Sequence, residues 1–130
     1  MDRKELGELG EKIACEYLVK KGYEILCKNY RINFGEIDIV AQKKHTIHFV
    51  EVKSLLSKTG LHAKRSEGHF PEQRVDWKKQ KKLRGLAEIW LNKNNVPQNY
   101  PYQIDVIGIL VDETGRIARL HFFGNVVSDK

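Results

Sequence analysis

"GEIDIVAQKKHTIHFVEVKS", residues 35–54, is the stretch whose reading decides the fold. Two β-prone runs flank the polar tetrapeptide "KKHT", so it reads as two strands joined by a short turn. Charge interrupts both runs, at Glu36, Asp38, Glu51 and Lys53. Side chains alternate between the faces of a strand. That places Ile37 and Ile39 on one face of the first run, and Glu36, Asp38 and Val40 on the other. In the second run His48, Val50 and Val52 share one face, and Phe49, Glu51 and Lys53 the other. If Lys44 and His45 are the two turn residues, Asp38 falls opposite Glu51 and Glu36 opposite Lys53. Opposed Cβ atoms lie about 4.5–5.5 Å apart. A slip of one residue sends Asp38 to the face away from Glu51.

Two carboxylates held that close repel unless something positive compensates them. A lysine supplies part of the compensation and a divalent metal more. Mg²⁺ takes oxygen ligands, typically one or two carboxylates plus a substrate phosphate. The spacing therefore describes a Mg²⁺ or Mn²⁺ site completed by a phosphodiester, with an ammonium beside it. The spacing alone is equally compatible with a solvated hairpin face, whose ion pairs contribute about 0–1 kcal/mol each. Context favours the site, because the acids sit in the most sheet-like segment and a basic loop and helix follow.

Outward from the hairpin, residues 5–21 carry Leu6, Leu9, Ile13, Ala14, Tyr17 and Leu18 at helical spacing, with Gly22 as the stop. Gly7 and Gly10 weaken this helix by about 1 kcal/mol each relative to alanine. "YEILCKNYR" (23–31) reads as a strand, residues 54–71 as a long polar loop, and "PEQRVDWKKQKKLRGLAEIWLNKNN" as a second long helix with Pro71 at its first turn. "YQIDVIGILVD" and "IARLHFFGNVV" read as strands joined by the turn "ETGR". The order α-β-β-β-α-β-β implies an α/β domain with a mixed sheet, and residues 1–130 read as one domain.

The net charge of +6 and pI near 9.3 favour anionic partners, nucleic acid first. The segment 72–93 concentrates that charge, with Arg74, Lys78, Lys79, Lys81, Lys82, Arg84 and Lys93 against three acids. Arg31 and the loop residues Lys58, Lys64 and Arg65 extend the basic set. His62 and His69 are expected to be ordinary surface residues. Trp77, Trp90, Phe122 and Phe123 are expected in the core or an interface, and Asp105, inside an apolar strand, needs a buried partner. No apolar run reaches the roughly 18 residues of a membrane span. The first residues lack the apolar core of a secretory signal. Cys15 and Cys27, without a CxxC pair, suit ordinary thiols of a cytoplasmic protein.

"GELGEKIACEYLVKKGYEILCKNYR", "GEIDIVA", "HFVEVK", "FPEQRV…KKQKKL" and "IDVIGI" together resemble the YraN family of small bacterial proteins over residues 7–111. That family is regarded as predicted endonucleases of the restriction-endonuclease-like fold, similar to Holliday-junction resolvases. The resemblance implies that Asp38 and Glu51 bind the metal with the backbone carbonyl of Val52, and that Lys53 is the catalytic lysine. It also implies that Glu11 approaches the metal from the first helix and that Gln80 faces the site. The chain departs from the family at Leu55, where an arginine is usual, at Gln103, where "RFDV" is usual, and in its longer 54–71 loop.

The expected activity is thus metal-dependent hydrolysis of phosphodiester bonds in DNA, branched forms included. Arg31, Lys78, Lys79, Lys81, Lys82 and Arg84 would hold the polymer. The alternative is a nucleic-acid-binding module without catalysis on the same fold. A homodimer would suit a two-fold branched substrate, and nothing in the sequence requires one.

Overall fold

The computed structural model describes residues 1–57 and 77–126. Strands β2 (Gly35–Lys43) and β3 (Thr46–Leu56) form the hairpin with Lys44 and His45 at its tip. Both tip residues have positive φ, 48° and 64°, as a two-residue type I′ turn requires. The register is the expected one: Lys43 faces Thr46, Ala41 faces His48 and Ile39 faces Val50.

Strand β1 (Glu24–Ile32) pairs antiparallel with β2, β4 (Tyr102–Val111) parallel with β3, and β5 (Ile117–Phe123) antiparallel with β4. Sequence order and spatial order coincide across the five-stranded sheet. A parallel neighbour needs a crossover, and the helix α2 (Trp77–Lys93) lies in that connection. With α1 (Arg3–Lys20) the observed order is α-β-β-β-α-β-β among the described residues, and the sheet is mixed, as expected. Strand β3 runs on to Leu56, opposite Val111, past the expected end at Ser54. The candidate residues Lys58, His62, Lys64, Arg65, His69 and Arg74 lie outside the described residues.

Helix α1 starts two residues earlier than its apolar pattern, because Asp2 and Glu5 form a capping box. Glu5 N–H donates to Asp2 Oδ1 at 2.8 Å, and Asp2 N–H to Glu5 Oε1 at 2.9 Å. It ends at Gly22, whose φ of 95° lets Tyr23 N–H reach back to the Leu18 carbonyl at 2.9 Å.

The two helices cover opposite faces, giving three layers. On one face Ile13, Ala14 and Leu18 of α1 pack on Ile39, Ala41, Val50, Ile107 and Ile109. On the other, Leu83, Leu86, Ala87 and Trp90 of α2 pack on Val40, Ile47, Phe49 and Ile104. Each fully buried aliphatic side chain contributes roughly 1.5–3 kcal/mol. Phe122 packs beside the first cluster, so it and Trp90 serve the core as expected.

One expectation about faces fails. Ile37 joins the α2 cluster with Val40, not the α1 cluster with Ile39. Alternation breaks at Asp38, opposite which Asn29 of β1 adopts φ 54°. Tyr30 pairs with Ile37 and Lys28 with Ile39, while Asn29 and Asp38 do not pair. A left-handed residue inside a strand acts like a bulge and re-aims its neighbours. Asparagine adopts that conformation more readily than most residues.

Candidate functional site

Beyond Ile39 and Val50 the β2–β3 pairing stops, and Asp38 sits where the strands part. Its carboxylate reaches β3 one residue past the expected partner: Val52 N–H donates to Asp38 Oδ2 at 2.7 Å. Asp38, Glu51, Val52 and Lys53 line one cleft of about 570 Å³, walled by Arg31 and Glu36 from the β1–β2 hairpin and by Lys79 and Lys82 from α2. The fold therefore brings the two expected acids and the lysine to one cleft. Gly35 lets α2 approach this wall, since a Cβ there would lie 3.0 Å from Leu86 Cδ1 and 2.9 Å from Lys82 Cε.

Burial, foremost, pushes the Asp38 carboxyl up to about 7, and the nearby charges of Glu11, Glu51 and Glu36 push the same way against the Val52 hydrogen bond. Glu51 is only 11% exposed at its side chain, and its Oε2 lies 3.1 Å from Lys79 Nζ and 3.2 Å from Lys53 Nζ. Two ammoniums thus converge on one buried carboxylate oxygen. Against the pull of burial, the Glu51 carboxylate holds the Lys79 ammonium's pKa above its ordinary value.

Glu11 lies on the α1 side. With Arg3, Asp38, Val52 and Ser54 it lines a second crevice, so Asp38 borders both spaces. Burial raises the Glu11 carboxyl, and a hydrogen bond from Asn29 opposes the rise. Helix α1 comes this close because position 10 is glycine. A Cβ on Gly10 would lie 1.7 Å from Ser54 Oγ and 3.0 Å from its Cβ. The glycine that weakens the helix is thus what seats it on β3.

Glu36 does not face Lys53. It pairs across β1–β2 with Arg31, Nη2 to Oε1 at 3.3 Å, the strand-edge ion pair that its position also allows. Gln80, half-buried at the next position round α2 from Lys79, does not line the cleft. Of the basic set, Arg31, Lys79 and Lys82 line it, while Lys78, Lys81 and Arg84 do not. The sequence reading missed the contact of Lys79 with Glu51. The one available signal was spacing: Lys79, Leu83 and Leu86 fall on one helical face, so the lysine leads the stripe that packs on the sheet.

The candidate oxygen donors in the cleft are the Asp38 and Glu51 carboxylates, with the Val52 backbone joined to them through its N–H to Asp38. Among the described residues no group of three or more His, Cys, Asp or Glu is placed to hold a metal ion. Two carboxylates in one cleft are a hard-oxygen set of the kind Mg²⁺ takes when waters and a phosphate complete its shell. The buried Glu51 oxygen, flanked by two ammoniums, is a place where positive charge collects.

A second polar cluster lies elsewhere on β3. His48 Nδ1 is 2.6 Å from Oδ2 of Asp105, which is fully buried. Asp105 Oδ1 accepts from Gln103 Nε2 at 2.7 Å and Asn125 N–H at 2.8 Å. The buried partner that Asp105 needs is therefore His48, joined by Gln103, the residue that departs from "RFDV".

The family model of the uncharacterised protein family UPF0102 matches residues 10–109. A UPF0102 protein of Clostridioides difficile is 44% identical over 114 residues, 87% of this chain and 91% of that one. A UPF0102 protein of Caldicellulosiruptor bescii is 37% identical over 122 residues, 93% and 95% of the two chains. Among solved structures, an FdxN element excision controlling factor protein from Anabaena variabilis matches with a TM-score of 0.34 and 17% identity, over 87% of this chain and 98% of that one. That likeness is too distant to bear on activity.

Proposed function

We propose that this chain, which belongs to the uncharacterised protein family UPF0102, is a metal-dependent endonuclease hydrolysing phosphodiester bonds in DNA. The observation that carries the reading is the gathering of Asp38, Glu51 and Lys53 in one cleft whose rim is cationic. Asp38 and Glu51, with the Val52 carbonyl, would hold Mg²⁺ or Mn²⁺. A bound cation of that kind supplies Lewis-acid polarisation of the phosphate and a water of lowered pKa.

The chain's own residues do the rest. Glu51 and Asp38 orient the hard-oxygen pocket, and the Val52 N–H fixes the Asp38 carboxylate. Lys53, on the same strand as Glu51, places an ammonium where charge develops on the phosphate. Four cationic side chains line the cleft against three carboxylates. Near-balance without metal becomes a clear positive surplus with it, which suits a polyanion. Arg31 from the β1–β2 hairpin and Lys82 from α2 both line the cleft and would contact phosphates of the bound strand.

The test is cleavage of labelled single-stranded, flapped and four-way-junction DNA with Mg²⁺ or Mn²⁺. Asp38→Ala is expected to lose roughly 10³-fold or more of the rate. Equal cleavage by wild type and variant would remove Asp38 from the chemistry. Metal-dependent thermal stabilisation with no cut in any substrate would favour a binding module instead.

A further inference from the structure

We infer that Lys79 is a placeholder for the metal: its ammonium occupies Glu51 in the metal-free protein, yields that carboxylate to the arriving cation, and turns to the nucleic-acid phosphate. The inference rests on the nuclease reading and gives Lys79 a role beyond polymer binding. Two ammoniums lie on a single oxygen, Glu51 Oε2, at 3.1 and 3.2 Å. Glu51 therefore carries one negative charge against two ammoniums, while Lys79 also feels the Asp38 carboxylate.

The two lysines are not equivalent. Lys53 is anchored two residues along the same strand as Glu51, whereas Lys79 reaches across the cleft from the first turn of α2; both side chains are 41% exposed, so the difference lies in where each is anchored. Lys79 can leave without moving backbone. A cation that binds Oε2 must displace an ammonium there, by geometry and by like-charge repulsion. The displaced Lys79 then stands beside Lys82, which lines the same wall and faces the space a phosphate would fill.

Competition of this kind has a sign that a structural role does not. Removing a competitor tightens metal binding, whereas removing a supporting residue loosens it. Calorimetric titration of the full chain with Mn²⁺, without DNA, reads that sign. Lys79→Met, which keeps the aliphatic stem, is expected to bind Mn²⁺ roughly three- to tenfold tighter than wild type. Lys79→Arg restores the charge and should stay within about twofold. Lys82→Met removes a cleft charge that is not on Glu51, and it too should stay within about twofold.

No gain in Lys79→Met, or an equal gain in Lys82→Met, would overturn the inference while leaving a Mn²⁺-binding wild type intact. A wild type that takes up no Mn²⁺, like Asp38→Ala, would overturn the metal reading and this inference together. The second half is read with Ca²⁺ and a fluorescent single-stranded oligonucleotide. Lys79→Met should bind it about fivefold more weakly while holding metal more tightly. Unchanged oligonucleotide affinity would overturn the transfer of Lys79 to phosphate.

Discussion

Two aspartates flank β3, Asp105 on β4 and Asp38 on β2, and they live in opposite circumstances. Asp105 is fully buried, and His48, Gln103 and the Asn125 N–H supply it with three partners. Asp38 has one backbone donor, three carboxylates for neighbours, and a carboxyl raised to about 7. A satisfied buried acid fixes a fold. A buried acid crowded by like charge is an energetic liability, and groups perturbed in this way cluster at functional sites.

The largest expected effect breaks the satisfied side. Asp105→Ala leaves His48, Gln103 and the Asn125 N–H short of an acceptor in a dry interior, and should cost about 3–5 kcal/mol. Urea denaturation checks this. A loss below about 1 kcal/mol would mean that water or a rearranged Gln103 replaces the carboxylate, and the contrast between the two aspartates would weaken.

The contrast was only partly legible in the sequence. The period of two, with Lys44 and His45 assumed as the turn, placed Asp38, Glu51 and Lys53 together. Yet "KKHT" is not a strongly preferred two-residue turn, and a slip of one residue would have parted them. The need of Asp105 for a partner was plain, because a charge stood inside an apolar strand. His48 could not be named as that partner, since the parallel β3–β4 register depends on a crossover that periodicity does not specify. Ile37 was assigned to the wrong face, because the left-handed turn at Asn29 leaves no trace in the hydrophobic pattern. Gly10 read as a helix defect, and only the approach of Ser54 gives it a purpose. Lys79 read as one basic residue among several, because charge counting does not say which way a helix is rolled.

A smaller effect, of opposite sign, tests the crowded side. The Asp38 carboxyl is raised from 3.8 to about 7 on folding. Well below pH 3.8 it is protonated in both states and contributes nothing. As pH rises through 3.8 toward about 7 the unfolded chain gives up this proton while the folded one retains it, so stability falls. Well above pH 7 the penalty is complete, on the order of 4 kcal/mol. Metal-free Asp38→Asn should therefore be more stable than wild type at pH 8 and closer to it at pH 4, while failing to cleave DNA. Thermal unfolding in EDTA at several pH values checks this. Parallel pH profiles for the two proteins would show that Asp38 carries no such strain. Glu11, also raised by burial, should leave a residual slope in the variant.

The smallest effect sits at the border between the two kinds of charge. Arg31 and Glu36 form an ion pair whose side chains are 73% and 33% exposed, and such pairs contribute about 0–1 kcal/mol. Yet Arg31 also lines the cleft, and Glu36 is among the acids that raise Asp38. Arg31→Ala should thus leave stability within about 1 kcal/mol while lowering the log–log salt slope of DNA binding by roughly 0.7–0.9, one phosphate contact. Fluorescence anisotropy across a salt series, with Ca²⁺ in place of Mg²⁺, separates the two roles. A slope that does not move would assign Arg31 to the strand edge alone, and the cationic rim would then rest on α2 and Lys53.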